Sequence, residues 1–155
     1  MIVVDASVLA NALTDDAAVG QIARAGLALD VHWSGPGHLL VETFSAVRGR
    51  LLGAKISEQR AHEATEALAD AAIQRLLTAP LLPRMWELRA NLSAYDAAYV
   101  AAAEAHECAL LTADARLAQA PGLRCEVRLA VPGGRSAPGH ASAPRPDLST
   151  QSRTV

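Results

Sequence analysis

Lysine is all but missing from this chain: Lys55 is its single lysine, and every other basic side chain is an arginine. A phosphate loop of the Gly-Lys-Ser/Thr kind is excluded, because Lys55 stands in Ala54-Lys55-Ile56. No lysine falls at a strand end to complete a phospho-acceptor pocket or a Schiff-base centre. Aromatic residues are sparse (two Trp, two Tyr and one Phe), so the core has to be aliphatic. Cysteine is limited to Cys108 and Cys125, with no CxxC, which reads as two free thiols in or beside strands rather than a disulfide or zinc site. The histidines His32, His38, His62, His106 and His140 are scattered and form no HExxH, so an imidazole-built metal site is not indicated. Long apolar runs are missing too, and Asp5 interrupts the apolar start with no basic stretch before it. Neither a membrane span nor a signal peptide is expected, and the expected location is the cytoplasm. Net charge is −2, so no general basic field advertises a nucleic-acid binder.

What is present suits one globular domain. The 155 residues are 51% hydrophobic and 19% charged, enough for a single aliphatic core. Short β-branched or apolar runs at Ile2–Val4, Val31–Trp33, Ile73–Leu77, Cys108–Leu111 and Cys125–Val131 read as strands. Between them lie helical segments. One is capped by Asp15 or Asp16; another spans His38–Leu52, with Leu40, Phe44, Val47 and Leu51 on one face. A third follows Ser57, a short one covers Arg84–Asn91 after the breakers Pro80 and Pro83, and a further one opens at Ser93. Alternation of this kind predicts a parallel sheet covered on both faces. From Pro132 to Val155 the composition turns to Pro, Gly, Ser and Ala with scattered Arg, which predicts a disordered tail behind a domain of residues 1–131.

Four acids stand out, three of them at junctions of these elements and one, Glu42, within the His38–Leu52 helix. Asp5 ends the first strand, Glu42 lies in Leu39-Leu-Val-Glu-Thr-Phe44, Asp96 follows Ser93 in a capping-box pattern, and Asp114 follows Leu110-Leu-Thr-Ala. Each has an ordinary reading, as a helix cap or a solvated residue. Jointly they point elsewhere, because strand ends and helix starts of an open α/β sheet converge on the crevice at its carboxyl edge. Converging carboxylates repel unless protons or a cation relieve them. A cation there makes a hard-metal site, of the kind that commonly handles phosphates.

Met1-Ile-Val-Val-Asp5-Ala-Ser7, the Glu42 helix, Leu92-Ser-Ala-Tyr-Asp96-Ala-Ala-Tyr-Val-Ala101 and Leu110-Leu-Thr-Ala-Asp114-Ala-Arg-Leu117 resemble the four signatures of PIN-domain nucleases. In compactness and in the wording of the last two blocks they look most like VapC-type toxins of toxin–antitoxin pairs. The resemblance covers about Met1–Val131, and no member of the acidic quartet is replaced. It implies a three-layer α/β/α, flavodoxin-like fold with a central, mostly parallel sheet of four or five strands. It implies an endoribonuclease dependent on Mg²⁺ or Mn²⁺ that leaves a 5′-phosphate and a 3′-hydroxyl. Asp5, Glu42, Asp96 and Asp114 would hold the metal, with Asp5 and Asp96 as candidates for direct ligands. Ser7 and Thr112 would support the carboxylates or a bound water, unless they merely cap and turn the chain. A homodimer, an RNA substrate and a small antitoxin partner are implied as well, with the helices around Leu40–Leu52 and Ala61–Leu77 as contact surfaces.

Arg48, Arg84 and Arg116, with Arg50 and Arg89, could contact substrate phosphate or be plain surface residues. Trp33, Trp86, Tyr95 and Tyr99 could stack bases or pack in the core. Three other classes and one other nuclease role compete with this reading. A receiver-type domain lacks its paired acid and late lysine, and a haloacid-dehalogenase phosphatase would need Asp where Ser7 stands. The third, a PIN-like domain that binds RNA or protein without cutting, differs by turnover alone, and an RNA-processing nuclease outside toxin–antitoxin biology would share the chemistry.

Overall fold

In the computed structural model, which describes residues 1–133, five strands form one wholly parallel sheet ordered β3-β2-β1-β4-β5. The strands are β1 (Ile2–Val4), β2 (Trp33–Pro36), β3 (Ile73–Leu76), β4 (Ala109–Thr112) and β5 (Val127–Leu129). The helices are α1 (Ala6–Thr14), α2 (Ala18–Leu27), α3 (Leu39–Leu52), α4 (Glu58–Asp70), α5 (Leu82–Leu88), α6 (Ala94–Ala105) and α7 (Ala115–Ala118). β1 lies in the middle because every residue of it is apolar and β-branched. Ile2, Val3 and Val4 are fully buried, as a strand with a neighbour on either side and helices on either face requires.

Right-handed crossovers put the β1-to-β2 and β2-to-β3 connections on one face and the β3-to-β4 connection on the other. Accordingly α1 packs on α2, α3 and α4, whereas α5 and α6 pack on each other, α6 lying along β1, β2 and β4. The three-layer α/β/α arrangement inferred from the sequence is the one observed. The core is aliphatic, with Tyr99 of α6 the one aromatic side chain wholly inside it.

Three local expectations need correcting. The second strand begins at Trp33, not Val31. Asp30 accepts the His32 N–H (2.9 Å) and turns the chain, Val31 points to solvent, and Ser34 Oγ donates to the Ile2 carbonyl (3.0 Å). On α3 the buried line is Leu39, Thr43 and Val47, and Phe44 is exposed; Thr43 fits inside because its hydroxyl donates to the Leu39 carbonyl (2.9 Å). Finally, Pro83 opens α5 instead of preceding it, since proline costs no hydrogen bond in a helix's first turn. Apart from Pro132 and Gly133, the expected tail of 132–155 lies outside the described residues.

Candidate active site

The strand order reverses between β1 and β4: the chain winds outward from β1 to β3, then returns to lay β4 on the other side of β1. Loops leave such neighbours in opposite directions and open a crevice at the carboxyl edge. Helices of parallel crossovers begin at that same edge. Asp5 caps α1, Glu42 lies in the first turn of α3, Asp96 in the first turn of α6, and Asp114 caps α7. All four acids therefore sit where unpaired backbone N–H groups and the positive helix ends favour negative charge.

Asp5 is the anchored member, with only 6% of its surface exposed. Its Oδ2 accepts from Ser7 Oγ and from Thr112 Oγ1, both at 2.6 Å. Each hydroxyl accepts in turn from the loop after β4: Ser7 Oγ from the Ala113 N–H and Thr112 Oγ1 from the Asp114 N–H, both at 3.0 Å. The two hydroxyls thus tie β1 to β4 across the crevice. Oδ1 receives only the long 3.4 Å contact from the Ser7 N–H and keeps lone pairs to spare.

Glu42 lies on α3, in the same helical layer as α1, within electrostatic reach of Asp5. Tyr99 Oη donates to its Oε2 (2.8 Å), and His38 Nε2 lies 3.6 Å from the same oxygen. Burial pushes the Glu42 carboxyl above its ordinary range; the Tyr99 hydrogen bond opposes this, while repulsion from Asp5 and Asp96 adds to it. Asp96 accepts from Ser93 Oγ (2.7 Å), which also takes the Asp96 N–H as the cap of α6. Asp114 is held below the usual carboxylate range, first by the hydrogen bond from the Arg116 guanidinium, at 3.1 Å in their ion pair. The Arg116 side chain is otherwise 93% exposed.

Whether a divalent cation suits this set is a question of donor chemistry. Every candidate donor is a carboxylate oxygen, the hard ligand that Mg²⁺ and Mn²⁺ prefer, and the mutual repulsion felt at Glu42 is what a cation would relieve. Among the described residues no three acids, histidines or cysteines draw close enough to form a ready-made cage. The set fits an ion that keeps much of its water and takes one or two carboxylates directly, as Mg²⁺ does.

The arginines separate. Arg116 is beside the acids and Arg48 is exposed on α3, but Arg84 is elsewhere. Its guanidinium is committed to Glu104 (2.6 Å), Glu87 (2.7 Å) and the Gly122 carbonyl, at the far end of α6 from Asp96. The hollow of about 870 Å³ beside it, which also takes in Cys108 and Cys125, is larger than the space of about 330 Å³ at His38, Glu42 and Tyr95. Its polar groups are spent on internal ion pairs, and both cysteines are free; burial pushes Cys125 up to about 11, which leaves an unreactive thiol. Trp33 is tied by its indole N–H to the Leu27 and Asp30 carbonyls, and Tyr99 is buried. His38, one helical turn before Glu42, is the neighbour that helical spacing predicts, whereas sequence reasoning missed Tyr99, which comes from α6.

Fold and site define a doubly wound α/β domain with an acidic pocket at its switch point. Comparison with known proteins bears on the fold and the family. The PIN domain family matches residues 2–123. The chain is 41% identical to ribonuclease VapC1 of Mycobacterium tuberculosis over 82% of its own length and 96% of that protein, and 39% identical to ribonuclease VapC9 of the same organism over the same shares. The crystal structure of Mycobacterium tuberculosis VapC20, a Sarcin-Ricin loop cleaving toxin, superimposes with a TM-score of 0.60 at 20% identity, covering 79% of this chain and 96% of that one; at that identity the likeness speaks for the fold. The chain belongs to the PIN-domain family, among its VapC-type members.

Proposed function

We propose that this protein is a divalent-metal-dependent endoribonuclease, the toxin of a toxin–antitoxin pair, and that Asp5, Glu42, Asp96 and Asp114 form its catalytic pocket. The observation that carries the reading is the clamped Asp5. A buried carboxylate held by Ser7 and Thr112 at the switch point, with Glu42 and Asp96 in electrostatic reach, has little use except to meet positive charge. The kinship to proteins named ribonucleases supports RNA as substrate.

Asp5 and Asp96 would hold the ion, with Glu42 and Asp114 contributing directly or through water. When bound, Mg²⁺ or Mn²⁺ supplies the charge that lets a phosphodiester approach four acids, and it acidifies an attacking water. The chain's own groups do the rest. Ser7 and Thr112 fix the Asp5 carboxylate so that no reorganisation is needed at the moment of reaction. Tyr99 orients Glu42 through Oε2 and leaves Oε1, on a carboxylate of raised proton affinity, to take a proton from the water. Arg116, exposed at the rim, meets a substrate phosphate. As the family resemblance implies, hydrolysis would expel the 3′-oxygen and leave a 5′-phosphate and a 3′-hydroxyl.

A small antitoxin would cover the apolar surface of α3 and α4, where Leu40, Val41, Phe44 and Leu68 line a shallow hollow beside the pocket. A homodimer and a cytoplasmic location complete the proposal; among the described residues no helix is long and apolar enough to cross a membrane.

The test is incubation of purified protein with total cellular RNA in Mg²⁺, Mn²⁺ or EDTA, beside the Asp5→Asn variant. Discrete fragments that need both metal and Asp5 are expected, with a loss of about 10²-fold or more in the variant. Folded, metal-loaded protein that cuts nothing would favour a binding-only PIN domain.

A further inference from the structure

With five aromatic residues in the whole chain, placing two of them on the surface beside one helix start is conspicuous. Trp86 is 68% exposed and Tyr95 60%. They flank the first turn of α6, the turn that carries Asp96. On one side Trp86 borders an apolar hollow of about 630 Å³ whose wall includes Met85, Leu92, Ser93, Ala94 and Ala97. On the other, Tyr95 overhangs the space beside Glu42, its ring edge-on to His38 at 5.3 Å. Ser93 joins the two, since it lines the hollow and donates to Asp96.

Neither ring is explained by packing. α5 turns Leu88 inward and leaves Trp86 out, and α6 buries Ala97 to Ala103 but not Tyr95. The guanidinium of Arg89 lies 4.5 Å from the Trp86 ring centroid, and among the described residues no carboxylate pairs with it; its one hydrogen bond goes to the Trp86 carbonyl. A flat ring stacked with an uncommitted cation matches a ligand that is itself a flat ring joined to an anion. Charge balance argues the same way. A chain of net charge −2 with four acids in its pocket draws little affinity for RNA from a general field, so affinity has to come from local contacts, and base–aromatic stacking is the strongest that tolerates any base.

We infer that Trp86 and Tyr95 form a stacking track for unpaired nucleobases on either side of the phosphate held at the acidic pocket, and that Arg89 binds a neighbouring phosphate. The substrate is accordingly single-stranded where it meets the enzyme. This rests on the ribonuclease reading and adds to it where the bases lie.

The test measures binding without cleavage. Full-length Asp5→Asn protein in Mg²⁺ is titrated into a short fluorescein-labelled single-stranded oligoadenylate, following the anisotropy of the label, with indole fluorescence as a second readout in proteins that keep Trp86; Trp33, hydrogen-bonded to its own chain, supplies a constant background. Stacking on Trp86 quenches its emission. Adding Trp86→Ala weakens binding about tenfold, Tyr95→Ala weakens it similarly, and Trp86→Phe restores most of it. Unchanged melting of Trp86→Ala and Tyr95→Ala shows that the fold is intact, since neither ring is in the core. A duplex of the same length binds more weakly than the single strand. Equal affinity for the alanine variants and their parent overturns the track, as does a fall in molecular mass on Trp86→Ala, which would make this face a contact between copies of the chain. A wild-type chain that neither binds nor cuts RNA in Mg²⁺ and Mn²⁺ alike would instead remove the ribonuclease reading itself.

Discussion

Glu42 shows what the pocket costs the protein. Burial raises its proton affinity and the neighbouring Asp5 and Asp96 add repulsion, so the proton is held more tightly in the folded chain than in the unfolded one. A group raised in this way supports folding below its ordinary range and loses that support as pH rises through the raised value. At neutral pH the ionised side chain works against the fold. Glu42→Gln keeps an acceptor for the Tyr99 hydroxyl and removes the charge, so the metal-free variant should melt above the parent at pH 7. It should also gain less on addition of Mn²⁺ and cut RNA about 10²-fold more slowly or worse. Scanning calorimetry with and without the ion reads the first two effects. A variant that melts below its parent would show that the carboxylate stabilises the pocket.

Among the elements, α5 is held by charge more than by packing, because only Leu88 of its own residues is buried. Arg84 ties it to Glu104 of α6, to Glu87 one turn along and to the Gly122 carbonyl, while Arg124 reaches Glu87 from the loop before β5. Arg84→Ala leaves Glu104, at 10% side-chain exposure, with only the Arg124 N–H (2.8 Å), at a cost of about 2 kcal/mol, below the range for fully buried pairs because that bond and some solvent remain. Urea unfolding measures it. Glu87 supplies a pH signature: the Arg84 hydrogen bond, with Arg124 assisting, holds its carboxyl below the ordinary value of 4.5. Its contribution is present above that value and is lost as pH falls through the lowered one. Arg84→Ala should therefore flatten the acid limb of the stability curve below about pH 4.5, and an unchanged limb would place the acid lability elsewhere.

For the molecule as a whole, the acidic pocket and the apolar surface of α3 and α4 are neighbours, since Val41 borders both. An inhibitor seated on the apolar surface would need only a short segment to reach the acids. Phe44→Asp, at an exposed position that does not line the space beside Glu42, should leave RNA cleavage intact and weaken the cognate antitoxin about tenfold or more, because the carboxylate would be buried without a partner. Co-purification and titrated inhibition read this out; full inhibition of the variant would move the antitoxin to another face.

Much of this was legible in the residues alone. Ile2–Val4 read as a buried strand, Ser57 and Ser93 announced their helices, and Asp5, Asp96 and Asp114 stood at boundaries between elements, because hydrophobic period and capping chemistry act over a few residues. Three things were not legible. The position of β2 depended on pairing with Ile2 and Ile73, contacts distant in sequence. The Tyr99–Glu42 hydrogen bond joins α6 to α3 across the sheet edge, and no spacing rule relates those positions. The separation of Arg84 from the acids followed from the length of α6, which sets Asp96 and Glu104 about 12 Å apart. By itself the sequence determined which side chains carry charge and where each element begins, as local chemistry decides both. The tertiary structure alone decided which of those charges meet, because that depends on strand order and on which end of each helix faces the crevice.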